Sequence, residues 1–274
     1  MDNYRKENIK KLNIARKISA LNSYVSSTGK MCTISKTPTV TVIDYFNDIH
    51  LEKIGTKTVK NIVLEQTDSF TYVSSHFSEF TSKPLVLDFA NPCVPGGGVR
   101  KGCRAQEEDL CRRSNLLMAL ESEEADPYYS ENKYTVRLCE TSLKCILVKD
   151  VTIFADSDGN LIDPIVVDVL VAAAPYKLSE TEIEDFELGL DFIDDMEFVV
   201  DMILDVAESY CYKDIILGAF GCGAFHNKPS NVARIFRDHL NSGRYSFTNV
   251  AFPILVKLQN RDQKNWDHFS EVLS

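Results

Sequence analysis

The chain has 274 residues, 44% of them hydrophobic, enough for one large α/β domain with embellishments and with no apolar run near the length that spans a bilayer. Its formal charge of −10 is concentrated: twelve of the forty acids fall between Leu178 and Glu208, where there is no Lys or Arg, and the other 28 face 30 basic residues. That balance excludes a basic stripe for sequence-specific nucleic-acid binding, and a polyanion would have to be gripped in a pocket.

Residues 3–21 place Ile9, Leu12, Ile14 and Ile18 among Lys and Arg and read as an amphipathic helix with a solvated basic face. Residues 1–34 are expected to form an N-terminal helical extension, and residues 35–274 the main domain. The start, Met1-Asp-Asn-Tyr-Arg-Lys-Glu7, has no signal-peptide core, so an intracellular protein, cytoplasmic or nuclear and without a membrane partner, is expected. Residues 39–43 and 61–64 read as strands, and residues 68–79 as a helix capped by Thr67 or Asp68. The almost unbroken apolar run 84–90 is the pattern of a strand buried on both faces. Residues 105–120 follow as one helix, on the spacing of Leu110, Leu116, Leu117 and Leu120.

Strands at 145–154 and 163–172 flank Asp156-Ser-Asp-Gly-Asn160, a hairpin turn; a calcium loop would need a downstream bidentate Glu and helical flanks. The acidic stretch 178–211 interleaves Phe186, Leu190, Ile193, Phe198, Met202, Leu204 and Val206, and reads as a helix with a buried stripe and a solvated acidic face. A short strand at 214–217, a helix at 231–240 and a last strand at 247–256 complete the pattern. Such alternation implies a mixed or largely parallel sheet covered on both faces, with ligands beyond the carboxyl ends of its strands.

Two glycine-rich loops lie about 120 residues apart at such ends: Asn91-Pro-Cys-Val-Pro-Gly96-Gly97-Gly98 and Gly218-Ala-Phe-Gly221-Cys222-Gly223-Ala224-Phe225. Each has the layout of a loop that holds phosphate on backbone N–H groups. The second matches neither the dinucleotide fingerprint nor a Walker loop, which leaves a backbone cradle for a diphosphate or a tight structural turn. The first runs into Gln106-Glu107-Glu108 at a helix start. Acids there complement the helix dipole, but beside an anion-binding loop a catalytic use explains them better. Neighbours on a helix diverge by roughly 100°, so only one carboxylate is expected to reach a scissile bond while the other orients substrate.

Cys222 with His226 lacks a third group to orient the His, so a thiol nucleophile is disfavoured. The eight cysteines (Cys32, Cys93, Cys103, Cys111, Cys139, Cys145, Cys211 and Cys222) show neither a Cys-x-x-Cys pair nor zinc-ligand spacing, and reduced thiols without a metal are expected.

The run Pro95-Gly-Gly-Gly-Val-Arg-Lys-Gly-Cys-Arg-Ala-Gln-Glu-Glu-Asp-Leu-Cys-Arg-Arg-Ser114 resembles the signature of microbial-type poly(ADP-ribose) glycohydrolases, a branch of the macrodomain family, and residues 218–227 are similar to that family's diphosphate loop. A strand ending in Ala172-Ala-Ala-Pro175 is similar to a further family element, so the likeness spans about residues 35–260. Val94 stands where bacterial members place Asn, and Asp88-Phe-Ala-Asn91 is closer to the eukaryotic enzymes.

The resemblance implies a macrodomain-like three-layer α/β/α fold with a mixed central sheet, and cleavage of the ribose–ribose bond of poly(ADP-ribose) with ADP-ribose as product and no cofactor or metal. It makes Glu108 the catalytic acid, sets Glu107 and Asn91 on the ribose next to the cleaved bond, and packs Phe225 against the ligand. Gly96, Gly97, Gly98, Gln106, Gly221, Cys222, Gly223 and Ala224 are the remaining expected substrate contacts. Single ADP-ribose units on proteins, nucleic acids or small metabolites are the alternative substrate, and a non-catalytic ADP-ribose reader the alternative function. Asp68 or a neighbour at the end of the strand at 61–66 is the expected adenine contact.

Overall fold

The computed structural model describes residues 2–34, 37–51, 56–135, 142–176, 192–256 and 260–274. Beyond a small hairpin of β1 (Ser23–Val25) and β2 (Met31–Thr33), seven strands form one sheet. Their order is β3 (Thr39–Asp44), β6 (Lys144–Ala155), β7 (Leu161–Ala172), β5 (Leu85–Phe89), β8 (Asp214–Ile216), β9 (Asn249–Pro253) and β4 (Asn61–Glu65). The first three pair antiparallel and the rest parallel, which is the expected mixed sheet.

Alternation along β5 shows how the layers form. Leu85 and Leu87 enter a core shared with α7 (Phe192–Ser209), α8 (Pro229–Leu240) and α9 (Asn260–Leu273), while Val86 and Ala90 face the opposite core. That second core is closed by α3 (Ser69–His76), α4 (Gln106–Arg113), α5 (Leu116–Leu120) and α6 (Asp126–Thr135). Asp88 shares the Val86 side and is fully buried in it. The N-terminal α1 (Asn3–Leu21) contributes Leu12 to this core, and packs Ala15 and Ile18 with Phe154 and Ala155 in a smaller cluster. No helix among the described residues is long and apolar enough to cross a membrane.

The structure corrects several expectations. The helix expected over 105–120 is two, because Ser114 bridges Ile153 and Asn115 is captured by β6, accepting from Thr152 N–H on Oδ1 at 2.8 Å. The helix expected over 68–79 ends at His76, with a 3-10 turn over Phe77–Glu79, and Asp68 is its cap. α2 (Tyr45–Asp48), α6, α9 and the β1–β2 hairpin are additions to the expected elements.

The acidic face of α7 is not simply solvated. Asp201 and Asp205 accept from the Arg244 guanidinium at 2.6 Å each, Tyr45 and Tyr245 hydroxyls donate to Asp205, and Lys57 pairs with Glu208 at 2.9 Å. Burial would raise the Asp201 carboxyl, yet His239 and Arg244 together hold it below its ordinary value. Those acids therefore tie α7 to the loop before β9, and the portion of the acidic stretch at 178–191 lies outside the described residues.

Candidate active site

β5 and β8 are adjacent and parallel, so the two glycine loops leave the same edge of the sheet. They meet directly. Phe89 and Phe220 pack edge to face at 5.7 Å, and at Gly218 (φ +79°) a Cβ would stand 3.0 Å from both the Phe89 ring and the Pro253 carbonyl. Only glycine lets the second loop turn this closely over those strand ends.

Glu107 and Glu108 open α4 beneath the first loop and are 3% and 6% exposed. The loop pins one oxygen of each. Asn91 N–H donates to Glu107 Oε2 and Gly98 N–H to Glu108 Oε1, both at 2.8 Å. The other oxygens, Glu107 Oε1 and Glu108 Oε2, are buried with no hydrogen-bond partner among the described residues. Although adjacent helical positions diverge, both side chains fold back onto Gly97, where a Cβ would stand 2.7 Å from Glu108 Oε1 and 2.9 Å from Glu107 Oε2.

A third acid backs them. Neither oxygen of the fully buried Asp88 has a hydrogen-bond partner among the described residues. Burial first, then the charge of Glu108, holds its carboxyl well above the usual carboxylate range. Burial and the Asp88 charge likewise raise the Glu107 carboxyl, against the N–H groups of Asn91 and Gly96. The sequence signal for Asp88 is an acid inside an otherwise apolar strand, a signal that the strand pattern around it hides.

The triplet's amides change the expected role of the first loop. Gly97 N–H donates to the Val94 carbonyl and Gly98 N–H to Glu108, so these two hold a turn and a carboxyl rather than a phosphate. Gly96 (φ +66°) is required by packing, since a Cβ would meet Leu117 at 2.6 Å. Gln106 is likewise committed to protein: its Oε1 accepts from Phe89 N–H at 2.9 Å and its Nε2 donates to Leu87 O at 2.7 Å. It docks α4 onto β5 rather than onto substrate. Asn91 Oδ1 accepts from Cys93 and Val94 N–H, which shapes the turn and leaves its amide nitrogen out of it. Val94 enters that turn through its backbone, and its side chain is exposed.

The Asp68 carboxylate is engaged within the protein. Its Oδ1 caps α3 and accepts from the buried Arg113 at 2.6 Å, and its Oδ2 accepts from Thr71.

In the second loop the N–H groups of Gly221, Gly223, Ala224 and Phe225 donate to no acceptor among the described residues, the condition for an anion cradle. Asn227, a residue with no expected role, fixes the loop's shape by donating to Pro175 O at 2.8 Å and Gly221 O at 3.2 Å. Gly221 (φ +71°) has room for no side chain, as a Cβ would stand 2.8 Å from Ala174 and 2.9 Å from Asn227 Nδ2. Phe225 sits at the rim against Tyr176, ring centroids 6.1 Å apart. Burial pushes the Cys222 thiol up, which leaves it a poor nucleophile.

The raised Asp88 carboxyl has a measurable consequence. A carboxyl raised on folding makes the folded state keep a proton that the unfolded chain releases, so stability falls as pH rises from about 4 toward the folded value. Asp88→Asn removes that dependence. Its melting temperature relative to wild type is expected to rise by at least about 5 °C between pH 5 and pH 8, read by thermal unfolding. A gap that does not change with pH would show Asp88 ionised.

A mixed sheet covered by helices on both faces, with buried acids beneath one glycine loop and unengaged amides on the next, is an arrangement suited to a glycoside hydrolase. The family model of the microbial-type PARG catalytic domain, PARG being poly(ADP-ribose) glycohydrolase, matches residues 3–156, and the chain belongs to that family. No curated protein matches the sequence.

Solved structures agree. A glycohydrolase of this kind from Deinococcus radiodurans, in complex with ADP-ribose, is 30% identical over 81% of this chain and 87% of its own, with a TM-score of 0.71. That of Thermomonospora curvata, 21% identical over 97% of this chain and 99% of its own, shares the fold at a TM-score of 0.79. The same Thermomonospora enzyme bound to the inhibitor ADP-HPD is 20% identical over 97% of this chain and 99% of its own, again at 0.79.

Proposed function

We propose that the chain hydrolyses the ribose–ribose O-glycosidic bond of poly(ADP-ribose), alone or attached to protein, and releases ADP-ribose, with Glu108 as the general acid. One observation carries the assignment: Glu108 is buried with Oε1 fixed by Gly98 N–H and Oε2 free, at the sheet edge where the amide-lined second loop also stands. A diphosphate on Gly221, Gly223, Ala224 and Phe225 would set the adjoining ribose over α4.

Oε2 gives its proton to the leaving oxygen as the glycosidic bond breaks, and the positive charge that develops on the sugar ring is stabilised by the carboxylate left behind. Water then adds to the anomeric carbon and its proton returns to Glu108. Glu107, raised by its surroundings, can both donate to and accept from a ribose hydroxyl, and the Asn91 amide nitrogen is available to the same sugar. Residues 1–34 belong to the same working unit, because α1 rests on the loop that carries these groups: Asn8 donates to the Gly102 carbonyl at 3.4 Å.

The test is turnover of labelled polymer beside a mono-ADP-ribosylated protein. ADP-ribose is expected from the polymer. A chain that binds polymer and releases nothing refutes the assignment, and release from the single modification alone moves the specificity to mono-ADP-ribose.

A further inference from the structure

We propose that Arg112 is the positioning residue that keeps the catalytic loop in register with Glu108, acting through Cys103 and Gly98; this rests on the enzymatic reading above. Arg112 is 5% exposed and donates from Nη1 to the Cys103 carbonyl at 2.6 Å. Cys103 N–H donates to the Gly98 carbonyl at 3.1 Å, and its Sγ lies 2.5 Å from where a Cβ on Gly98 would stand. The place of residue 103 therefore fixes that of residue 98. Gly98 N–H is the group that holds Glu108 Oε1 at 2.8 Å. Three successive contacts thus run from the guanidinium to the acid.

Arg112 lies one helical turn beyond Glu108, the spacing at which an Arg ordinarily pairs with a carboxylate on the same face. It does not do so here. The guanidinium turns to the loop carbonyl, and its nearest ion-pair partner among the described residues is Asp109 at 3.9 Å. Burial pulls it below its ordinary value, with Asp109 and Glu108 opposing. A buried cation with so little compensation is a weak source of stability, so what it supplies is geometry. The planar, multi-donor head suits that task, where a Lys would offer a point charge.

A cavity lined by Asn8, Lys11, Asp109, Arg112 and Phe154 opens beside the guanidinium between α1 and α4, so a small planar cation can reach the place that Arg112 occupies.

The experiment is Arg112→Ala, with kcat on poly(ADP-ribose) expressed per site that binds ADP-ribose by calorimetry, so that unfolded protein does not count. The expected result is a fall in kcat per site of about 10- to 100-fold, with KM for polymer and ADP-ribose affinity held within about threefold. Millimolar guanidinium chloride should restore kcat in this variant and in neither wild type nor Glu108→Gln. Full kcat per site, a loss shared equally by KM and ADP-ribose affinity, or absence of rescue overturns the proposal. Should Arg112→Ala fail to fold, Arg112→Lys decides: at least about a threefold loss of kcat per site is expected, and wild-type kcat overturns it. An inactive wild type would instead refute the enzymatic reading, whatever the Arg112 variants do.

Discussion

Glu108→Gln is expected to lower kcat on poly(ADP-ribose) by about 10²- to 10⁴-fold, the range supplied by a positioned general acid, while ADP-ribose affinity stays within about threefold. The amide keeps the size of the side chain and an oxygen that can still accept from Gly98 N–H, so the loop keeps its anchor. What is lost is the transferable proton at the Oε2 position, which is buried and has no competing partner among the described residues. Because the proposed diphosphate cradle lies on the other loop, binding is expected to survive the change. Rapid-quench release of ADP-ribose together with calorimetry separates these effects. Loss of affinity in step with loss of rate would show that Glu108 holds substrate rather than reacts with it, and an unchanged rate would remove it from the chemistry.

The fold is legible in the sequence where periodicity is strong. Apolar runs such as 84–90 and 214–217 announce buried strands, and the alternation of strands with helical spacing announces the mixed sheet. Local pattern misleads where backbone pairing overrides it. The leucine spacing of 105–120 is helical throughout, and nothing local to it reveals that Asn115 will be taken by β6. The acids of α7 mislead for a related reason: Asp201 and Asp205 look like any solvated face until the fold brings Arg244 and Tyr245 onto them from about forty residues further along.

The site divides along similar lines. Spacing and residue type are enough to single out Glu107 and Glu108, because acids after a glycine triplet conflict with a phosphate-binding role. Which way the triplet's amides point is not written in the sequence, and those of Gly97 and Gly98 prove to serve a turn and a carboxyl. Gln106 is polar, adjacent to the acids and to all outward signs a substrate ligand, yet its amide closes the gap between α4 and the end of β5. Asp68 is absorbed in the same way by a buried arginine. A polar residue's partner depends on the chain folded over it, so side chains of this kind are the hardest to assign in advance.

Gly97→Ala is expected to lower kcat at least about 100-fold, since misplacing catalytic groups by about 1 Å costs that much. Gly97 has φ +54°, and a methyl group there would lie 2.7 Å from Glu108 Oε1 and 2.9 Å from Glu107 Oε2, closer than a carbon and an oxygen can sit. Both carboxyls must move, and each is already fixed by a loop N–H. The left-handed backbone adds a stability cost of about 1–2 kcal/mol that any L-residue would incur. Gly29 separates the two contributions, for it has φ +77° in the β1–β2 turn, where an added methyl would meet nothing within 4 Å. Gly29→Ala should lower the melting temperature by a similar few degrees and leave kcat unchanged. If Gly97→Ala kept full activity, or if Gly29→Ala lost as much, the glycine triplet would be serving the backbone alone, and the contact between the loop and the two carboxyls would not be what the reaction depends on.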